Sequence, residues 1–458
     1  MQVCLRFADF FGISPAERQD TLLKAILDSH AFHFPRNRSY RRSVEAKGIG
    51  PSITENDLAL VLRPTSQVFK SYIDALGMPF PNHNPLGFLQ WLADNLSTDL
   101  PTDRFRLFRR KYRTLEALLQ DIERIYADSG FAIGTSSGTS GKATIMMRDK
   151  EGTDLAAEAY QLAVYRLWGT RDNNQFIFVM PQKTRIVMAS IALWATERLG
   201  LSDRVHFAIP FPATPDHVRI RSGRIFQPGM QGLIEQRLFY PFMNWMTDYY
   251  VKSTYVKRTI ALLEQMAEEK KDVLLFGGWV QLHAIYQGLW ERGYGNRGRV
   301  LTLSNDSMIG TGGGLKELYP FPAARIKADL ETVLRTYEGE PVIHRDVYGM
   351  AEANWAAAQC VQGNYHLPPW IYAVVLDGND DIIDSPDAPG ILAFYDPFGG
   401  GKLFPNFFKT ADRVRLINGT NCYDANRVCP CGYDSTYIVR ESIQRQDRLD
   451  EAGCAGQL

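Results

Sequence analysis

Between residues 175 and 349, short strand-like runs alternate with longer segments of helical periodicity, and this alternation limits the chain to few architectures. The runs are FIFVM (176–180), RVHFAI (204–209), VLLFGG (273–278), RVLTLS (299–304) and IHRDVYG (343–349). Apolar residues return every three or four positions in 258–269, 280–292 and 327–337, the spacing of a helix that buries one face. Strand, helix, strand in repetition predicts an α/β fold whose sheet is largely covered by helices.

The flanking regions differ. Residues 1–130 read as mostly helical, with clear periodicity over 21–27 and 114–128. GFAIG (130–134) is a short apolar run, and 153–168 again has helical spacing. Past residue 370, WIYAVVLD and GILAFYD are separated by Asp, Gly and Pro, which predicts antiparallel strands in a β-rich subdomain.

The 458 residues carry 51 basic and 51 acidic side chains, so no bulk attraction to nucleic acid or anionic lipid is implied. The first twelve residues, MQVCLRFADFFG, interrupt their apolar run with charges and lack a secretory pattern. No stretch approaches the roughly 20 apolar residues of a membrane span. The expectation is a cytoplasmic protein with no membrane span. Six cysteines, three of them between Cys422 and Cys431, suit metal or thiol chemistry better than a disulfide framework.

One segment is costly to order. GTSSGTSGKAT (134–144) gathers glycines and hydroxyl residues around Lys142, and both residue types resist regular structure. Such a segment serves a ligand, a tight turn or a plain flexible connection, and the natural ligand for exposed N–H groups, hydroxyls and a lysine is phosphate. A Walker phosphate loop is excluded, because Ala143 follows Gly141-Lys142 and Ser136 stands where the first glycine is required.

What remains, SSGTSGKAT, resembles the phosphate loop of the adenylate-forming (acyl-CoA synthetase) superfamily, in the form found in phenylacetate–CoA ligases and in the acyl-protein synthetases of luciferase systems. The resemblance places phosphate contacts on Ser136, Ser137, Gly138, Thr139, Gly141 and Lys142. Further motifs follow in the same order along the chain. VYGMAEAN (347–354) resembles the motif in which a tyrosine packs on adenine and a glutamate holds Mg²⁺, which implies these roles for Tyr348, beside Gly349, and Glu352. An aromatic face suits a purine, and a carboxylate beside a triphosphate needs a bridging cation. Ala351 stands where many members have threonine, so a hydroxyl contact to the α-phosphate is not implied.

GTGGG (310–314) resembles the glycine-rich turn bordering the adenine, which includes Gly313, and an ordinary strand-ending turn explains it equally well. FFKTADRVRL (407–416) resembles the ribose-binding motif and assigns the ribose hydroxyls to Asp412. IQRQD (443–447) resembles the hinge motif and contributes Arg445 and Asp447.

The cysteines give a separate signal. Cys360 and His366 in CVQGNYH, with Cys429 and Cys431 in CPCG, supply three thiolates and an imidazole, enough for a closed tetrahedral Zn²⁺ site of structural type. The other reading of the spacing is buried unpaired cysteines beside a surface histidine. The two branches named above carry a similar pattern, and QCVQGNYHLPPW is closer to the acyl-protein synthetases.

The resemblance runs from about residue 75 to 450 and implies ATP-dependent activation of a small carboxylic acid as acyl-AMP. Acyl transfer to a thiol would follow, with ATP, Mg²⁺ and structural Zn²⁺ as cofactors. The alternatives are an acyl- or aryl-CoA ligase and a non-catalytic, zinc-stapled nucleotide-binding scaffold. The expected blocks are a helical region over 1–125, an α/β nucleotide- and acyl-binding core over 126–355, a β-rich zinc subdomain over 356–440, and a hinge-like segment and tail over 441–458. Members of the superfamily continue beyond the hinge into a mobile domain carrying a catalytic lysine; here no lysine follows Lys409, and that domain is expected to be absent or very short. Lys142 is one substitute donor.

Cys454, four residues from the end, matches the near-terminal cysteine that accepts the acyl group in the acyl-protein synthetases, or is an incidental tail residue. The possible acceptors are thus Cys454, a carrier protein or CoA, and an acyltransferase or reductase is a possible partner. Phe276 and Trp279, around LLFGGWV, line an acyl pocket or belong to the core.

Overall fold

The computed structural model describes residues 7–136, 142–169, 174–314 and 319–445. The chain divides into two compact units. One comprises 1–134, 144–163 and 351–449, and the other 135–143, 164–350 and 450–458. Each therefore gathers separate stretches of sequence rather than one block.

The first unit is built on antiparallel strands. Tyr372–Leu376, Asp387–Asp396 and Asn406–Ile417 form a meander in which Tyr372 faces Tyr395 and Phe394 faces Phe408. The short strands Tyr437–Ile438, Tyr365–His366 and Ala356–Gln359 continue from Asn406–Ile417. The antiparallel expectation for WIYAVVLD and GILAFYD is met. Every residue of Tyr372–Leu376 is buried, which is why that run lacks polar alternation.

Helices Pro15–His33, Arg38–Glu45, Pro85–Asn95 and Leu115–Ile125 complete this unit, and each starts where a side chain accepts a backbone N–H. Ser14 accepts from Glu17, Asn37 from Tyr40, Asn84 from Gly87 and Thr114 from Ala117, satisfying donors that the helix leaves over. The opening residues, which no motif assigns, are part of the same core. Phe7 stacks on Trp370 at 4.5 Å, Tyr395 donates its hydroxyl to the Leu58 carbonyl at 2.7 Å, and Arg63 lies over the rings of Tyr40 and Phe408.

The second unit is the expected α/β array. Its parallel strands run in the order Ile343–Gly349, Met308–Gly312, Val273–Gly277, Gln175–Pro181, Val205–Ile209. The helices Lys252–Glu268, Trp279–Glu291 and Ala323–Val333 pack their apolar faces into one core with these strands.

Two expectations are corrected here. RVLTLS does not join the main array; only Leu301–Leu303 is extended, and it pairs with Leu334–Thr336 in a sheet of two strands. The strand that does join is Met308–Gly312, whose last three residues overlap the stretch 310–314 read as a turn. Its glycines hid it, and packing explains them: a Cβ on Gly310 would lie 2.6 Å from Phe276 Cδ2, and one on Gly312 would lie 3.2 Å from Phe276 Cζ. The helix expected over 327–337 is Ala323–Val333, because Leu334–Thr336 is taken by the small sheet. No helix among the described residues is long and apolar enough to cross a membrane.

Candidate functional site

Ala132–Thr135 and Ile145–Arg148, which precede and follow the glycine- and hydroxyl-rich segment in sequence, pair as a two-stranded sheet. Ser136 is half-buried and Lys142 exposed. Ser137, Gly138, Thr139, Gly141, Asp447 and Cys454 lie outside the described residues.

At the start of the second strand, Thr144 is buried, and its hydroxyl donates to Glu352 Oε1 at 3.1 Å. At its end, Arg148 is fully buried; its Nε donates to Asn354 Oδ1 at 2.6 Å and its Nη2 to the Ala351 carbonyl at 3.4 Å. Arg148 thus holds the residues on either side of Glu352, while Thr144 holds the carboxylate itself. Burial lowers the Arg148 pKa to about 10, opposed by Tyr160 and Glu352. The polar chain continues inward: Asn354 Nδ2 donates to the Gly399 carbonyl, and Asp396 accepts from the Gly399 N–H at 2.7 Å and from Asn406 Nδ2 at 3.3 Å. Burial pushes the Asp396 carboxyl up to about 6.

Thr144, Arg148 and Asn354 are absent from the sequence-derived set. The arginine had a signal, a charge closing the otherwise apolar strand IMMR. Its partners had none, since a hydrogen bond spanning some two hundred residues leaves no local pattern.

Asp412 and Arg445 occupy facing positions of an antiparallel pair, Asn406–Ile417 with Gln444–Arg445. Both are half-buried, and the Asp412 N–H donates to Thr410 Oγ1 at 3.1 Å.

In the second unit, Tyr348 and Gly349 end the strand Ile343–Gly349, whose Val347 is in register with Gly312. Gly313 follows with φ of 83°, a conformation that glycine adopts without strain. Tyr348, Gly349 and Gly313 therefore share the C-terminal end of the parallel strands, where open α/β sheets receive ligands. Beneath them Thr311 Oγ1 donates to Asp346 Oδ1 at 2.6 Å. Trp279 is core, stacked on His344 at 4.7 Å, and Phe276 covers the glycines of the neighbouring strand.

The four expected metal ligands come together in the first unit. The ligand atoms of Cys360, His366, Cys429 and Cys431 all lie within 4.8 Å of one another. Cys360 Sγ is 3.9 Å from Cys429 Sγ, and Cys431 Sγ is 3.4 Å from His366 Nε2. A tetrahedral ion with sulfur arms of ~2.3 Å spaces its sulfurs by ~3.8 Å, which the Cys360–Cys429 separation matches. This favours a metal site over buried unpaired cysteines, and His366 is itself buried rather than on the surface.

Surrounding groups are arranged as a metal would require. His366 Nδ1 is 2.9 Å from Ser435 Oγ, which leaves Nε2 toward the sulfurs. Asn364 Nδ2 donates to Cys429 Sγ at 3.3 Å and the Tyr433 N–H to Cys431 Sγ at 3.4 Å. Without a cation, burial and the neighbouring thiols push the Cys431 thiol up to about 12, and burial lowers His366 to about 4.

No protein-family model matches the sequence, and no curated protein matches it. Among solved structures, the chain is similar to 2-hydroxyisobutyryl-CoA ligase in an open conformation in complex with 2-HIB-AMP and CoA. The identity is 15%, with 94% of this chain and 70% of that chain covered and a TM-score of 0.55. The same ligase in its thioesterification state aligns over 96% of this chain and 70% of that one, at 14% identity and a TM-score of 0.52. In the postadenylation state, in complex with R3-HIB-AMP, the figures are 97%, 72%, 13% and 0.51. At these identities the likeness speaks for the fold.

Proposed function

We propose that the chain is an adenylate-forming acid–thiol ligase. A carboxylate oxygen attacks the α-phosphorus of ATP, pyrophosphate leaves, and the acyl-AMP then gives its acyl group to a thiolate with release of AMP. Most of the catalysis is positioning and charge neutralisation. The observation that carries this reading is the Thr144–Glu352 hydrogen bond. It fixes the one carboxylate of the tyrosine–glycine motif against the strand leaving the hydroxyl-rich segment, and the fold shared with an acyl-CoA ligase supports it.

In this reading Ser136, Ser137, Gly138, Thr139, Gly141 and Lys142 hold the β- and γ-phosphates. Gly313, Tyr348 and Gly349 border the adenine, Asp412 accepts from the ribose hydroxyls, and Arg445 belongs to the hinge. Glu352 would hold Mg²⁺, which neutralises phosphate charge when bound; an oriented carboxylate of this kind suits an ion that keeps most of its other ligands as water and phosphate. The zinc set staples strands within the first unit and takes no part in the chemistry. The acid is a small carboxylic acid.

The acceptor thiol is a protein cysteine or carrier protein, as in the acyl-protein synthetases, with Cys454 the candidate within the chain. A second reading, CoA as acceptor, is favoured by the structural neighbour, which holds CoA. Exchange of labelled pyrophosphate into ATP across a panel of acids tests adenylation, and silence with every acid would leave only a nucleotide-binding scaffold. Intact mass after incubation with the responsive acid separates the acceptors: a protein-bound thioester lost in Cys454→Ser, or acyl-CoA in solution.

A further inference from the structure

The segment Met230–Glu268 is one helical rod. Met230–Ile234, Tyr240–Trp245 and Lys252–Glu268 are α-helical, and the intervening Glu235–Phe239 and Met246–Val251 are π-helical turns. The last part is ordinary, burying Tyr255, Ile260, Leu263 and Met266. The first part is not. Met230, Ile234, Leu238, Phe242, Trp245 and Tyr249 recur at helical spacing and are each 43–72% exposed. The Phe242 and Trp245 rings are 6.1 Å apart and those of Trp245 and Tyr249 6.5 Å, so the stripe is a continuous ridge.

This ridge is anchored from behind. Glu235 is buried and makes a two-pronged pair with Arg219 at 2.7 and 2.8 Å, and it also accepts the Gln227 N–H at 2.8 Å. A contiguous apolar surface of this kind on a rigid element marks an interface.

Charge indicates what covers it. Between residues 228 and 251 the charged side chains are the buried Glu235, Arg237 and Asp248. A helix lying on a membrane carries a basic polar face; the stretch 228–251 that bears the stripe exposes one positive and one negative group. We propose that the stripe binds a second copy of this chain, with the two rods antiparallel across a two-fold axis between Met243 and Asn244. That register sets Leu238 opposite Tyr249 and Phe242 opposite Trp245, and the symmetry makes each pair twice. It also leaves Arg237 only about 3 Å along the rod from the partner's Asp248, within reach of its long side chain. Asp248 also lies 3.6 Å from Arg221 of its own chain, with its side chain 66% exposed and so within reach of a partner. The aromatic centre and sparse charge match the composition of protein interfaces, while the two ion pairs set orientation. This inference is independent of the proposed ligase activity.

Sedimentation velocity on the full chain tests it. The wild-type protein is expected to be a dimer, and Trp245→Glu a monomer with an unchanged circular dichroism spectrum. Arg237→Asp and Asp248→Arg should each raise the dimer Kd about tenfold through like-charge contacts, and the double reversal should restore most of the loss. Three results would overturn the proposal: a monomeric wild-type chain, a dimer indifferent to Trp245→Glu, or a double reversal no tighter than the worse single one. Binding of a monomeric wild-type chain to phosphatidylcholine vesicles, read from the tryptophan emission, would assign the stripe to lipid and also overturn it.

Discussion

Thr144 donates its hydroxyl to Glu352 Oε1 at 3.1 Å, joining two residues 208 positions apart. The bond orients a half-buried carboxylate at the start of the strand Ile145–Arg148, which leaves the hydroxyl-rich segment. If that carboxylate holds the cation during adenylation, Glu352→Gln keeps the hydrogen bond and the fold but loses the charge. Pyrophosphate exchange should fall by about 10²–10³-fold, with the thermal midpoint within a degree or two of wild type. Full exchange in the variant would remove Glu352 from the reaction.

Arg148→Met should behave differently. It leaves Asn354 Oδ1 and the Ala351 carbonyl without their donor in a buried setting, at a cost of about 2–4 kcal/mol in stability. Urea denaturation reads this. Arg148→Lys should recover part of the stability but not the fork that spans both sides of Glu352, so exchange activity should stay below wild type.

Asp396 provides a pH signature. Its carboxyl is raised from 3.8 to about 6 by burial, against donors from Gly399, Phe398 and Asn406. The folded state therefore holds the proton more tightly than the unfolded one. The corresponding stabilisation is complete below pH ~4 and is lost as the pH rises through about 6. His33 and His344, lowered to about 3 by burial, work in the opposite sense, losing stability as the pH falls below their unfolded value of 6.5. The test is therefore a difference: the stability of Asp396→Asn relative to wild type should rise by roughly 2–3 kcal/mol between pH 4 and pH 7. A flat difference would show that Asp396 titrates normally.

The metal site predicts a split between ligands and their support. Cys429→Ser should lower bound zinc below one per chain and depress the thermal midpoint, as should a strong chelator acting on wild type. Ser435→Ala removes the partner of His366 Nδ1 and should still bind one zinc at saturation, with affinity reduced about 10–100-fold. Competition with a metallochromic dye measures both. Unchanged affinity in Ser435→Ala would mean that His366 is oriented by its flanking rings alone.

Much of the architecture was legible because it is written in short periods. The strands at 176–180, 273–278 and 343–349 and the helix at 280–292 emerge within a residue of their expected positions, and the helix expected over 258–269 ends as expected but begins six residues earlier, at Lys252. Their burial patterns repeat within a few residues. Met308–Gly312 was not legible, since the glycines at 310 and 312 that admit Phe276 read as a turn and cut the strand's apolar run to Met308 and Ile309. The candidate metal ligands Cys360, His366, Cys429 and Cys431 were expected as one set, and the structure brings them together.

The sequence alone thus determined the alternating α/β core and the antiparallel strands after residue 370, because each follows from the local spacing of apolar residues. Tertiary structure alone decided that Thr144 and Arg148 hold the segment around Glu352 and that an aromatic stripe near Phe242 stays exposed. Those depend on which distant segments pack together, and packing is a property of the whole folded chain that no window of sequence contains.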